Sequence, residues 1–326
     1  MEAARAQEYL VRRISPQESY EDLLSFPRYL EIETVNVCNA RCPMCTIDDW
    51  ERGVQPMTDE LFNKVAAEAI AHAGEIKRVS LYRDGEPLID KKLPQRVAML
   101  NAGGIRNTAI STNVSLLTEA KARALLEAGL GLIILSIDSL KKDVYEAIRV
   151  RLKFEEVMQN ALRLIALRDQ MQAKTKIWVR MIRQETNKDE WPAYQQFWAP
   201  KLGPQDRVYY HNIFNWGGQL KTYEPISVSV EPQLPCVALW SLLVIFCNGD
   251  VPLCNVDFNN TYPTGSALTH SIAELWQSKI MNERRALHLS GQKACVKLCE
   301  NCNVWDEAPD VEHIADQYLS EVDSRM

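Results

Sequence analysis

The chain lacks any apolar run of the length needed to cross a bilayer, so a helical membrane span is not expected. It also lacks an excess of positive charge: 37 Lys and Arg stand against 43 Asp and Glu, a formal net charge of −6. That balance offers no broad attraction to phosphate backbones or anionic surfaces, which argues against nucleic acid and membrane partners. The opening residues, MEAARAQEYLVRRISPQESYEDLL, mix charges throughout and contain no apolar core segment, so neither a signal nor a transit peptide is expected. Internal repeats and low-complexity segments are missing as well.

What the chain does have is length, apolar content and sulfur. At 326 residues and 46% hydrophobic, it can fill one barrel-sized core and a smaller appendage. Nine cysteines without a secretory signal point to a reducing, cytoplasmic setting and to metal ligation rather than disulfides.

From residue 31 to about 212, short β-branched or apolar runs alternate with longer helical stretches, the pattern of repeated βα units. Six strands are predicted: Glu31–Val37, Lys77–Leu81, Arg106–Ser111, Gly131–Ser136, Lys176–Ile182 and Arg207–His211. Between them, 117–129 and 154–168 carry apolar residues at three- and four-residue spacing, which predicts amphipathic helices. The fold class expected is α/β, a partial (β/α)6 TIM-like barrel, with its chemistry at the C-terminal strand ends. After about residue 213 the pattern changes to Asn215-Trp216-Gly217-Gly218, scattered prolines and a hairpin signal in which Leu242–Phe246 runs into Asn248-Gly249. The expected division is an N-terminal extension (1–30), the barrel (31–212), a smaller second domain (213–307) and a tail (308–326).

Cys38, Cys42 and Cys45, at three-then-two spacing just past the first strand, can wrap three thiolates around one cuboidal iron–sulfur cluster and leave one iron open. A structural zinc site is the rival, although zinc wants four ligands in paired spacing. The loop resembles that of the radical S-adenosylmethionine (SAM) superfamily, with Met44 at the position before the last cysteine. The resemblance, which covers roughly residues 30–212, implies a [4Fe-4S] cluster whose open iron chelates SAM. Reductive cleavage of SAM there gives a 5′-deoxyadenosyl radical that abstracts a substrate hydrogen atom. It also implies SAM contacts from Asp84, Gly85 and Glu86, where Asp84 replaces the family's glycine, and from Ser111, Asn113, Ser136 and Asp138 at later strand ends. Taken residue by residue, a Ser or Asn that ends a strand more often starts a turn than binds a ligand, because its side chain bonds to local backbone.

The C-terminal part is similar to the SPASM and twitch modules of that superfamily. A full SPASM module has further cysteines beyond the close pair, and no cysteine follows Cys302, so the shorter twitch form is expected. It implies one auxiliary [4Fe-4S] cluster on Cys236, Cys254, Cys299 and Cys302; a zinc ribbon on the same four is the alternative. Cys247 and Cys295 are left over. Each is either a small buried hydrophobe or a thiol beside the substrate, and Cys247 is preferred as a hydrogen-atom donor. Cys295 could also replace one of the four ligands.

Polar residues expected to face the barrel interior are Tyr82, Arg83, Arg180, Arg183, Tyr210, His211 and Asn212. Arg180 and His211 are the candidates for substrate binding or proton removal. Only about 30 residues precede the first strand, which favours a small substrate over a leader peptide. The resemblance then implies oxidation or epimerisation of a carbinol carbon in a sugar or aminocyclitol, with a flavodoxin- or ferredoxin-type electron donor. A peptide maturase, a radical decarboxylase or dehydratase, and a non-catalytic iron–sulfur protein are the rival readings.

Overall fold

The structure, a computed structural model, describes residues 3–213, 215–220, 234–300 and 302. The expected tail at 308–326 lies outside the described residues, as do 221–233 and 303–307 of the second domain. Helices α1 (Ala3–Ile14) and α2 (Tyr20–Ser25) precede strand β1 (Tyr29–Ile32). Five βα repeats follow: α3 (Asp59–Ala71) and β2 (Arg78–Ser80), α4 (Leu93–Ala102) and β3 (Thr108–Thr112), then α5 (Glu119–Glu127) and β4 (Leu132–Ser136). The last two are α6 (Lys142–Ile148) and α7 (Phe154–Gln170) before β5 (Lys176–Arg183), and α8 (Trp191–Trp198) before β6 (Arg207–Asn212).

All six strands pair in parallel in the order β6-β5-β4-β3-β2-β1. Such a sheet is covered on both faces, and the unbroken burial of Leu132–Ser136 shows why its strands read as continuous apolar runs. Helix starts follow side-chain chemistry: Thr118 accepts from the Lys121 N–H at the head of α5, and Gly129, at φ +77°, supplies the left-handed turn that ends it.

Two departures from the expected strands matter. β1 stops at Ile32, because from Glu33 onward the chain leaves β2 and bends toward the cysteine loop, where Val35 bridges Pro56. The run Leu242–Phe246 does enter a tight turn, with the Gly249 N–H bonded to Phe246 O, but it is more than a hairpin arm. After α9 (Ala238–Ser241), strand β7 (Leu242–Ile245) pairs in parallel with β1 through Tyr29↔Leu242 to Ile32↔Ile245 and becomes the seventh strand of the barrel sheet.

The remainder of the second domain is a two-stranded ribbon, β8 (Asp250–Val251) against β9 (Gly265–Ser266), and helices α10 (Ile272–Trp276), α11 (Lys279–Leu289) and α12 (Lys297–Glu300). It is fastened to the barrel by α3. The Glu68 carboxylate accepts from the Ile272 and Ala273 N–H groups that open α10, and Lys64 Nζ donates to the carbonyls of Ala267, Leu268 and His270. Among the described residues, no helix is long and apolar enough to cross a membrane.

Candidate cluster and cofactor site

Cys38, Cys42 and Cys45 lie on the loop beyond β1, at the C-terminal end of the sheet. The loop is closed locally by the Cys45 N–H bonded to Cys42 O at 2.9 Å and is tied to the α6–α7 connection by the Arg41 N–H on Val150 O at 3.1 Å. Burial pushes the Cys38 thiol up to about 11 and Cys45 up to about 12, and Cys42 is raised for the same reason. Cys38 also feels Cys42, and Cys45 feels both Cys42 and Cys38, so the three share one small region. Three buried thiols that resist ionisation alone form a donor set suited to a positively charged group, and binding such a group releases their protons. Among the described residues, no three His, Cys, Asp or Glu side chains stand close enough to hold a single metal ion. The donor chemistry fits an iron–sulfur cluster, a larger group gripped at its periphery.

The Asp84-Gly85-Glu86 segment holds the loop from the other side. A Cβ built on Gly85 would stand 2.4 Å from Val35 O, 2.9 Å from Val37 O and 3.0 Å from Val37 N, so only glycine allows this approach. The next residue seals it, the Glu86 N–H donating to Val37 O at 2.8 Å. The Glu86 carboxylate is fully engaged with the end of β3. It accepts from Thr112 Oγ1 (2.7 Å), the Asn113 N–H (2.8 Å) and the Leu88 N–H (3.1 Å). Burial raises its pKa, and these donors oppose the rise. Asn113 in turn donates through Nδ2 to Asn39 Oδ1 at 2.9 Å and to Cys38 Sγ at 3.8 Å. A continuous hydrogen-bonded chain thus runs from Glu86 through Asn113 to the first cysteine.

Beside this loop lies a cavity of about 220 Å³. One wall is the three cysteines with Met44, a second is Asp84, Gly85, Glu86, Ser111, Asn113 and Ser136, and a third is Tyr82, Arg180 and His211. Arg180 spans the strand ends: its Nη2 donates to Ser111 Oγ (3.0 Å) and Ser136 Oγ (2.8 Å), which are themselves 3.3 Å apart. His211 Nδ1 lies 3.4 Å from Asn212 O.

Other expected site residues sit elsewhere. Asp138 does not line the cavity: wholly buried, it accepts from Arg149 Nε at 2.6 Å and the Ile182 N–H at 2.8 Å, so it acts behind the site. Arg183, Tyr210 and Asn212 are also outside the lining, Arg183 lying over the Tyr210 ring at 5.2 Å. Cys247, preferred as a hydrogen-atom donor, is buried beyond the cavity wall. Its N–H donates to Glu33 at 3.2 Å, and burial, with Glu33 adding, pushes its thiol up to about 12.

Arg149 and Trp216 are among the lining residues that were not singled out in advance. Arg149 is buried, and its Nη1 donates to Cys42 Sγ at 3.8 Å. Trp216 donates through Nε1 to Met44 O at 3.2 Å and roofs the cluster loop from the start of the second domain. The Trp-Gly-Gly turn marked a change of pattern, which was a usable signal; an arginine just past the end of α6 gave none.

The second cysteine group forms in space. Cys254 feels the charges of Cys299, Cys302 and Cys236, and Cys299 those of Cys236 and Cys302; burial raises both thiols. The loop after Cys254 is wound around Asp257, whose buried carboxylate accepts from the N–H groups of Thr261 (2.7 Å) and Tyr262 (2.9 Å). His288 Nδ1 accepts from the Cys236 N–H at 3.2 Å. Cys295 is exposed, and it is not among the cysteines whose charges act on Cys254 or Cys299. Four thiols at one place again suit an iron–sulfur cluster, here without an open corner.

Comparison with known proteins agrees. A family described as "Radical SAM superfamily" matches residues 32–177, and one described as "SPASM: Iron-sulfur cluster-binding domain" matches residues 236–303. A GTP 3′,8-cyclase of Chlorobaculum tepidum is 31% identical over 167 residues, 51% of this chain and 48% of that protein. A tungsten-containing aldehyde ferredoxin oxidoreductase cofactor-modifying protein of Pyrococcus furiosus is 33% identical over 113 residues, 35% of this chain and 31% of its own length. The chain thus spans half or less of these relatives. Among solved structures, BtrN in complex with AdoMet and 2-DOIA superposes with a TM-score of 0.59 at 21% identity, over 85% of this chain and 93% of that one. Streptococcus suis SuiB bound to the precursor peptide SuiA gives 0.62 at 15% identity, over 86% and 71%. At such identities the likeness is one of fold. From its cysteine loop, its parallel barrel and its C-terminal cysteine group, the chain carries a radical SAM domain over residues 32–177 and a SPASM-type iron–sulfur cluster-binding domain over residues 236–303.

Proposed function

We propose that this radical SAM enzyme oxidises a carbinol carbon of a small polar molecule of the sugar or aminocyclitol type. The observation that carries the reading is that one cavity runs from the first cysteine group to the residues beside the second: Cys38, Cys42 and Cys45 form one wall, while Asn255 and Val256, directly after Cys254, form part of another. A substrate held there lies between a source of hydrogen-abstracting radical and an outlet for an electron. Cys38, Cys42 and Cys45 would hold the cluster that binds SAM, which would supply the radical chemistry, and Cys236, Cys254, Cys299 and Cys302 would hold a single auxiliary cluster able to take up an electron.

The chain's own residues do the rest. Arg180 holds a substrate hydroxyl from the strand ends, with Ser111 and Ser136 kept as SAM contacts, and His211, on the cavity wall, takes the hydroxyl proton. Trp216 and Met44 close the site against water. Inversion at the same carbon calls for a thiol to return a hydrogen atom, and among the described residues lining the cavity no cysteine stands beyond the three of the loop. That favours oxidation. BtrN, solved with AdoMet and 2-DOIA, is consistent with a small ligand on this fold. We also place the enzyme in the cytoplasm with a flavodoxin- or ferredoxin-type donor, which its free cysteines suit. We likewise place the domain boundary near residue 213, with β7 lent back to the barrel sheet.

Anaerobic protein with both clusters, given reductant, SAM and a panel of aminocyclitols and amino sugars in deuterated buffer, tests the reading. The expected product lacks two hydrogens and carries no solvent deuterium at the attacked carbon. A product of unchanged mass formula with deuterium there would replace oxidation by epimerisation.

A further inference from the structure

Asp84, the residue that stands where the family has glycine, is gripped by two buried arginines. Arg83 Nη1 lies 2.8 Å from its Oδ1 and Arg52 Nη2 lies 3.5 Å from its Oδ2, with every side chain involved at most 6% exposed. Both arginines also reach across to the second domain. Arg83 Nη2 donates to Asn255 O, and Arg52 Nε donates to Phe258 O at 2.6 Å. Arg52 further makes a two-pronged pair with Glu33 (2.6 and 2.8 Å) and stacks 3.7 Å from the centre of the Phe246 ring. Next to it, Asn259 accepts from the Glu51 N–H (2.9 Å) and donates to Asp49 O (2.8 Å). The carbonyls taken belong to the loop that follows Cys254.

We propose that Arg52, Asp84 and Arg83 form a clamp that fixes the Cys254 loop against the Asp84-Gly85-Glu86 loop. Arg52, which does not line the cavity, is then a positioning residue for the auxiliary cluster. The planar fork is what the place demands: one guanidinium serves a carboxylate edge-on, a second carboxylate and a carbonyl at once, which a lysine ammonium on a flexible stem does not. The inference rests on the assignment of Cys254 to the auxiliary cluster.

The test compares holoenzyme carrying Arg52→Lys or Arg52→Gln with wild type, by hydrogen exchange over residues 250–262 and by the electron paramagnetic resonance of the reduced auxiliary cluster. Product formed per 5′-deoxyadenosine is measured alongside. Both variants are expected to bind both clusters, to exchange about tenfold faster or more across that loop, and to show an altered auxiliary spectrum. Product per 5′-deoxyadenosine should fall about fivefold or more, since a misplacement near 1 Å can cost far more than that. Because Arg52→Lys keeps the charge, it is the variant expected to fold if Arg52→Gln does not, and its failure to restore wild-type exchange is the signature of the fork. Variants that hold both clusters with unchanged exchange, spectrum and product ratio would overturn the clamp. Wild-type protein with iron for one cluster only, about four per chain, would instead remove its premise.

Discussion

Gly85→Ala isolates the contact that holds the Asp84-Gly85-Glu86 segment against the cysteine loop. The added methyl would stand 2.4 Å from Val35 O and 2.9 Å from Val37 O, and both neighbours are backbone, with no flexible side-chain end to swing aside. Reaching an ordinary contact of roughly 3.5 Å requires the two segments to part by about 1 Å. That parting breaks the 2.8 Å bond from the Glu86 N–H to Val37 O. Overpacking of this kind costs about 1–3 kcal/mol and the lost bond about 1 kcal/mol, so a stability loss of about 2–4 kcal/mol is expected. Urea unfolding of the metal-free variant measures it. In the reconstituted variant, the spectral response of the first cluster to SAM should need about a hundredfold more SAM, because Glu86 and Asn113 shift with the loop. Gly74→Ala is the control: nothing lies within 4 Å of its Cβ, and stability should change by no more than about 0.5 kcal/mol. A Gly85→Ala protein with wild-type unfolding and SAM response would refute the close-approach argument.

Cys299→Ala should lower iron from about eight to about four per chain while the first cluster still responds to SAM; loss of that response would mean that the two groups are not separate sites. Cys247→Ala should keep turnover within about twofold, since its thiol sits behind the cavity wall, and abolished turnover with SAM cleavage intact would restore it as a hydrogen donor. Asn113→Ala removes the donor to Asn39 and Cys38, and unfolding of the metal-free protein should be easier by about 1–3 kcal/mol; unchanged stability would show that the Glu86–Asn113–Cys38 chain is not under load. Arg180→Ala should weaken substrate binding about tenfold or more while SAM cleavage without substrate persists, and an unchanged KM would remove Arg180 from the substrate wall.

The barrel was readable because its signal is local. Apolar runs such as Leu132–Ser136 are buried along their whole length, and the six expected strands overlap the six observed. The cysteine loop was readable because spacing within a few residues is itself the chemistry. Contacts between distant segments left no such trace. Nothing in Leu242–Phe246 says that its partner is Tyr29–Ile32, since an apolar run of this length suits any buried strand. Asp138 ends a strand where a ligand could sit, yet its carboxylate is taken by Arg149, a residue whose burial only tertiary packing decides. Cys247 stands beside the right turn in sequence but behind the cavity wall in space.

Strand β7 also sets a timetable for the chain's birth. Until Leu242–Ile245 leaves the ribosome, β1 presents one flank of unpaired amides and carbonyls, the kind of sticky border on which nascent chains aggregate. About 210 residues separate the two strands, which at ordinary synthesis rates leaves that border open for roughly 10–40 s. Cutting the gene after residue 212 would therefore not liberate a self-sufficient barrel but one with a raw margin, and soluble expression should require everything through Ile245.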